Sequence, residues 1–158
     1  MTIDVMGAPN DYEGKCRDYI RQNRIAAEQV AFAESVHTAA DAIRLTGGAV
    51  VKTVVLAIRE GFIACLVRGE DKVDLAKVRA LVGTGAVRVA TRDEVLAHTG
   101  YPAGGVPPFG HGLETFVDEA VVRLDIVVAG GGSDKVLVKT TAKELVRVTK
   151  ARLAKLAQ

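Results

Sequence analysis

The sequence predicts an α/β fold of the mixed α+β kind, a curved, partly barrel-like mixed sheet flanked by helices. Three observations carry this expectation. β-Branched runs alternate with amphipathic, capped segments, two of the runs are joined by a tight turn, and one fourteen-residue stretch is dominated by glycine and proline. The 158 residues suffice for one domain with a substantial core, and 49% of them are hydrophobic. Aromatic residues are only 4% and Trp is absent, so Val, Ala, Leu and Ile must fill that core. A formal net charge of +2 argues against a broad electrostatic wrap around nucleic acid, but leaves room for a partner gripped over a small footprint.

Each element follows from local chemistry. Between Asp11 and Asn23, Tyr12, Cys16, Tyr19 and Ile20 recur at helical spacing among charges, which predicts an amphipathic helix. Ala26 to Ala33 reads equally as a first strand or as the continuation of that helix. Thr38 and Asp41 stand where an N-cap and its N3 partner would start a short helix ending at Gly47 and Gly48. Ala49 to Ile58, AVVKTVVLAI, is the clearest strand, and the turn at Arg59, Glu60 and Gly61 returns Phe62 to Val67 as its hairpin partner. Asp71 to Val82 reads as a helix with Leu75, Val78 and Leu81 inward, closed by Gly83 and Gly85. Ala86 to Ala90 is a short strand, and Thr91 with Glu94 makes a capping box for the helix Arg92 to His98. Leu113 to Val117 and Leu124 to Ala129 are strands separated by Asp118 and Glu119. Gly130 to Gly132 form a second glycine loop before a last strand, Val136 to Val138. Thr141 and Glu144 cap a C-terminal helix with Leu145, Val148, Leu153 and Leu156 inside. Residues 1–158 are expected to be one domain, with no assignable motif in residues 1–37.

Several function classes lose support. Cys16 and Cys65 belong to no Cys/His cluster, so neither a disulfide framework nor a metal site is expected. No leader-like segment and no run of membrane-spanning length is visible, so the chain is expected in the cytoplasm, without a membrane partner. The Gly130–Gly132 run fits neither the dinucleotide nor the P-loop fingerprint, and no cofactor is expected. There is no nucleophile elbow, and His37, His98 and His111 suggest no Ser/His/Asp constellation; only His111, just past the prolines, lies in a suggestive loop.

The informative stretch is TGYPAGGVPPFGHG, Thr99 to Gly112, with five of the sixteen glycines and three of the four prolines. Gly104 and Gly105 would let a ligand approach the main chain closely, while Pro102, Pro107 and Pro108 hold that main chain in shape. Lys52 is the second anomaly. It shares its strand face with Val50, Val54, Leu56 and Ile58, so it must snorkel out, pair with a carboxylate, or point into a cavity. In a cavity, its ammonium would bind an anion or stabilise negative charge developing on an ester oxygen.

Three stretches in this order, VVKTVVL (Val50 to Leu56), TGYPAGGVPPFG (Thr99 to Gly110) and AGGGSDKVLVKTTAKEL (Ala129 to Leu145), resemble the YbaK/ProX aminoacyl-tRNA deacylases. These are relatives of the editing domain inserted in bacterial prolyl-tRNA synthetases, and the resemblance runs from about Thr38 to about Thr149. It implies trans-editing: hydrolysis of the ester of a mischarged aminoacyl-tRNA, Cys- or Ala-tRNA for proline foremost, with no metal or cofactor. Lys52 matches the functionally important strand lysine, and Thr53 stands beside it as in the cysteine-clearing type. Gly104 and Gly105 match the glycines whose main chain borders the substrate. Tyr101 and Pro107 in the same motif, with Gly130, Gly131 and Ser133 at the second small-residue turn, are the expected substrate contacts. For a cysteinyl substrate, the resemblance implies attack by the substrate's own thiol. The expected partners are the acceptor end of the tRNA and prolyl-tRNA synthetase. A non-catalytic tRNA- or synthetase-binding module of the same fold is the alternative, and an esterase unrelated to tRNA is the third.

Overall fold

A computed structural model describes residues 11–32, 39–83 and 85–158. Its elements are α1 (Tyr12–Gln22), β1 (Glu28–Ala31), α2 (Ala39–Thr46), β2 (Ala49–Ile58), β3 (Gly61–Arg68), α3 (Leu75–Val82), β4 (Arg88–Val89) and α4 (Arg92–Thr99). There follow β5 (Glu114–Asp118), α5 (Glu119–Val122), β6 (Ile126–Ser133), β7 (Val136–Thr141), α6 (Ala142–Thr149) and β8 (Arg152–Ala154).

The strand order is β1-β7-β6-β2-β3-β5-β8, with β4 pairing the far end of the β2 edge that β6 also uses, so the eight strands form one mixed sheet. β2 and β3 are the antiparallel hairpin the turn at Arg59 and Glu60 predicts, in register from Val51–Arg68 to Ile58–Gly61. β3 runs parallel to β5, β5 parallel to β8, and β2 parallel to β6; β6–β7 and β7–β1 are antiparallel. Side chains on β2 alternate between two apolar layers. Val51 and Val55 join Tyr101, Val106, Phe109, Val117, Val127 and Leu145, while Leu56 joins Ile63, Cys65, Val78, Phe116 and Leu156. Burial raises the thiols of Cys16 and Cys65 to about 11 and about 12, as expected of small core hydrophobes.

Capping sets several boundaries. Asp11 accepts the N–H of Gly14 to start α1, and Thr91 with Glu94 forms the predicted capping box of α4. Asp74 accepts the N–H groups of Ala76 and Lys77, so α3 begins at Leu75 and residues 71–74 are a loop. Val78 is buried at the centre of α3, whereas Leu81 is exposed. Thr141 caps α6 through the N–H of Glu144, but the Glu144 carboxylate goes to the N–H of Ala26 and to Arg147. Thr38 and His37 lie outside the described residues.

The remaining boundaries correct sequence expectations. Residues 28–31 are a strand, settled by their pairing with β7. The strand expected over Ala86 to Ala90 is only Arg88–Val89, since β2 offers just Leu56 and Ala57 as partners there. Asp118 is a helix cap rather than an acidic spacer: its carboxylate accepts the N–H of Ala120 to start α5, and those of Leu156 and Ala157 to hold the C-terminal segment. Gly130–Gly132 are not a loop. β6 runs through them to Ser133 with a bulge between Gly130 and Ser133, and the turn falls at Asp134 and Lys135. The C-terminal helix stops at Thr149, because Lys150 adopts the left-handed conformation at φ 52°. The chain then pairs as β8, which leaves Leu153 64% exposed and buries Leu156.

Candidate active site

The glycine–proline loop begins at Gly100, which ends α4 in the left-handed conformation. Thr99 ties this corner by donating to the carbonyl of Val95 and accepting the N–H of Tyr101. Pro107, Pro108 and Phe109 are buried, and Tyr101 is 1% exposed. The loop is therefore an ordered, packed element, and Tyr101 and Pro107 form its support rather than its surface.

α1 lies against that loop. Lys15 stands 4.5 Å over the Tyr101 ring and donates to the carbonyl of Gly100 at 3.2 Å. Tyr19 stacks on Phe109 at 5.8 Å, and Tyr12 meets Tyr101 at 6.3 Å. Residues 1–37 carry no motif in the sequence, yet α1 is the backing of the most motif-rich stretch. Its amphipathic spacing was the only signal of this.

The two glycine stretches meet through their main chains. The carbonyl of Gly105 accepts the N–H of Gly132 at 2.9 Å. A Cβ on Gly105 would lie 2.8 Å from the Gly132 carbonyl carbon, and one on Gly130 would overlap the Val106 carbonyl oxygen. Gly132 in turn abuts the main chain of Tyr12 and Glu13. Gly131 is buried, and its carbonyl accepts from the Gln29 amide at 3.3 Å. Gly104 differs: it is exposed at φ 88° with open space where a Cβ would be, and its N–H has no partner among the described residues. The N–H of Gly105 is already given to the carbonyl of Pro102 at 3.0 Å. Of these two N–H groups, that of Gly104 is the one without a partner among the described residues.

Ser133 and His111 are committed as well. The Ser133 hydroxyl donates to the Glu13 carboxylate at 2.5 Å and accepts the N–H of Lys135 at 3.1 Å. His111 is 7% exposed; its Nδ1 accepts the N–H of Leu113 at 3.1 Å, so Nε2 carries the proton and donates to the carbonyl of Pro108 at 3.0 Å. This histidine clamps the loop and does not face a ligand. His98 stacks on Phe62 at 4.0 Å.

The opening lies in the sheet itself. β2 pairs with β6 only at Ala49–Val127 and Val50–Val128, and with β4 only at Leu56–Val89 and Ala57–Arg88. From Val51 to Val54, that edge has no strand partner among the described residues. Val55 accepts the N–H of Ala90 on this edge at 3.0 Å, and peptide groups two residues apart on a strand point the same way, so the N–H and C=O of Thr53 face the gap. The Thr53 Oγ1 is buried and has no hydrogen-bond partner among the described residues, on the face shared with Val51 and Val55. A buried, unsatisfied hydroxyl beside an unpaired strand edge is costly unless something else completes it. Lys52, the preceding residue, turns to the opposite face, half-buried, and lines a cleft of about 520 Å³ with Lys72, Asp74, Leu75, Arg79 and Val89. The structure thus gathers Gly105, Gly130, Gly131, Gly132 and Ser133 at one seam, with Thr53 on the same side of the sheet and Lys52 on the other. Among the described residues, no group of three or more His, Cys, Asp or Glu side chains is placed to hold a metal ion, and no helix is long and apolar enough to cross a membrane.

Residues 32–148 match the family model of the aminoacyl-tRNA editing domain. A proline–tRNA ligase from Thermotoga sp. (strain RQ2) is 33% identical over 82 residues, which is 52% of this chain but only 14% of the ligase. The uncharacterized protein YwhH of Bacillus subtilis (strain 168) is 33% identical over 130 residues, covering 79% of this chain and 80% of YwhH. A crystal structure described as that of a candidate trans-editing enzyme for prolyl-tRNA synthetase superposes with a TM-score of 0.87 at 32% identity, over 96% of this chain and 99% of the other.

Proposed function

The chain belongs to the aminoacyl-tRNA editing domain family, and from that premise we propose that it is a trans-acting deacylase of mischarged tRNA for proline. Its substrate in this reading is Cys- or Ala-tRNA, with residues 1–158 acting as one editing domain. One likeness supports action in trans: the candidate trans-editing structure matches this chain at 32% identity over 96% of its length. The ligases support the tie to proline, since the segment they share with this chain is a small part of a proline–tRNA ligase.

The observation that carries the proposal is the edge of β2 at Lys52 and Thr53, which has no strand partner among the described residues, with the Thr53 hydroxyl buried and unsatisfied among them. An aminoacyl group bonded to Thr53 would complete that hydroxyl and the exposed peptide edge together. A pocket built this way is small and selective, because a substrate lacking the right polar group leaves Thr53 unpaired. An aminoacyl ester is already activated, so the site must orient it and stabilise the oxyanion rather than provide a strong nucleophile. Water adds to the acyl carbon, the bond to the ribose oxygen breaks, and that oxygen leaves with a proton. With a cysteinyl substrate, the substrate's own sulfur forms the new bond to the acyl carbon instead. The Lys52 ammonium, reaching the ester through the gap beside β2, is the proposed stabiliser of the oxyanion; Gly104, on the Thr53 side, is proposed to border the bound substrate, and the Gly105–Gly132 seam holds the loop that presents it.

Release of the amino acid from tRNA for proline charged separately with Pro, Ala, Cys and Ser tests this. Rapid loss of Cys or Ala with Pro spared is expected at enzyme concentrations far below the substrate. Stoichiometric protection without release would instead support the non-catalytic module.

A further inference from the structure

The cleft below Lys52 is assembled from three parts of the chain. Lys52 comes from β2, Lys72 from the loop after β3, and Arg79 from the second turn of α3. The loop is pinned in place: Asp74 donates its N–H to the carbonyl of Leu156 at 2.7 Å, Gln158 donates to the carbonyl of Lys72 at 2.9 Å, and Val73 bridges to Ala157. Arg68, Arg88 and Arg147 each lie within 2.8 Å of a carboxylate. Lys52, Lys72 and Arg79 have no carboxylate partner among the described residues. The acidic side chain in the cleft, Asp74, accepts the N–H groups of Ala76 and Lys77 and leaves the lining with an excess of positive charge. The rest of the lining is partly apolar, with Val73, Leu75 and the 57% exposed Val89.

Three cations against one carboxylate, beside a partly apolar lining, fit a phosphodiester whose ribose and base need apolar surface beside the charge. We propose that this cleft is a subsite for the single-stranded 3′ end of the RNA, in which Lys72 and Arg79 grip the backbone phosphate next to the terminal nucleotide. The proposal rests on the deacylase reading, which sets the terminal ester at Lys52 and Thr53. Lys72 and Arg79 are binding residues for the RNA strand and take no part in the bond-breaking step.

The test is equilibrium binding of a labelled, uncharged RNA oligonucleotide ending in CCA, titrated over a range of salt. Lys72→Gln and Arg79→Gln are compared with wild type and with Lys143→Gln, an exposed charge on α6 far along the chain. Wild-type binding that weakens with salt is expected, with each cleft variant raising Kd about tenfold and lowering the salt slope by about 0.7. Thermal unfolding of each variant establishes that it is folded. Cleft variants that match Lys143→Gln in Kd and slope overturn the proposal, as does a wild-type protein without salt-dependent binding. Failure of the deacylase reading looks different: the RNA then binds through Lys72 and Arg79, but no amino acid is released from charged tRNA.

Discussion

The carbonyl oxygen of Gly105 accepts the N–H of Gly132 at 2.9 Å, and this bond joins the glycine–proline loop to the bulged end of β6. Around it the two main chains are too close for a side chain, since a Cβ on Gly105 would stand 2.8–2.9 Å from Gly132 and Ser133 main-chain atoms. Gly105→Ala is therefore expected to push the loop off the strand and cost about 1–3 kcal/mol of stability, with activity lost alongside. Gly104→Ala meets no atom and costs only the strain of its φ of 88°, about 1 kcal/mol. Chemical denaturation of the two variants checks the contrast; equal costs would mean that the Gly105 seam is not the tighter constraint.

Ser133 is expected to be dispensable for chemistry. Its hydroxyl proton is committed to Glu13 and its oxygen to the N–H of Lys135. Ser133→Ala should lower the deacylation rate by less than about tenfold, whereas removing a true nucleophile costs on the order of 10⁴ or more. A loss of the larger size would return Ser133 to the reaction.

His111 predicts a pH step in stability. Burial lowers its pKa, against an opposing effect of its bond to the Pro108 carbonyl. The unfolded chain thus takes up the proton first, at about pH 6.5. The stabilisation is fully present above that pH and is lost as the pH falls through the lower, folded value. Unfolding free energies measured between pH 7.5 and 5 should decline in wild type and decline less in His111→Gln.

Asp118 governs a more acidic window. Burial works to raise its pKa, but the N–H groups of Leu156, Ala120 and Ala157 and the charge of Arg68 hold it below the usual carboxylate range. Its contribution is present above the unfolded value of about 3.9 and disappears as the pH falls through the folded one. Asp118→Ala should cost about 2 kcal/mol at pH 7, release the C-terminal segment, and flatten the acid limb of the stability curve. An unchanged acid limb would count against the carboxylate as the clamp.

Much of this was legible in the residues. AVVKTVVLAI announced β2 by its β-branching, and Thr91 with Glu94 announced α4 by its cap. The density of glycine and proline marked the loop, and a lysine among valines allowed for the cleft it lines as one of three outcomes. What stayed hidden depends on contacts distant in sequence. Gly130–Gly132 read as a loop because glycine favours turns, but here its small size serves the approach of Gly105, Val106 and α1. β8 was hidden because three residues with little pattern became a strand only through pairing with Phe116, Val117 and Asp118. Glu13 and Lys15 carry no local sign of facing the loop, and Lys72 and Arg79 look like ordinary surface charges until the C-terminal segment pins their loop beside Lys52.

The central claim is that Lys52, at the unpaired edge of β2, supports hydrolysis of a mischarged aminoacyl ester. The most direct measurement is multiple-turnover deacylation of Cys- and Ala-charged tRNA for proline by wild type and by Lys52→Ala, with the fold of the variant verified by its unfolding transition. The account predicts rapid turnover by wild type and a drop in kcat of about 10²-fold or more in the variant, at nearly unchanged stability. A folded Lys52→Ala protein that turns over at the wild-type rate would contradict it.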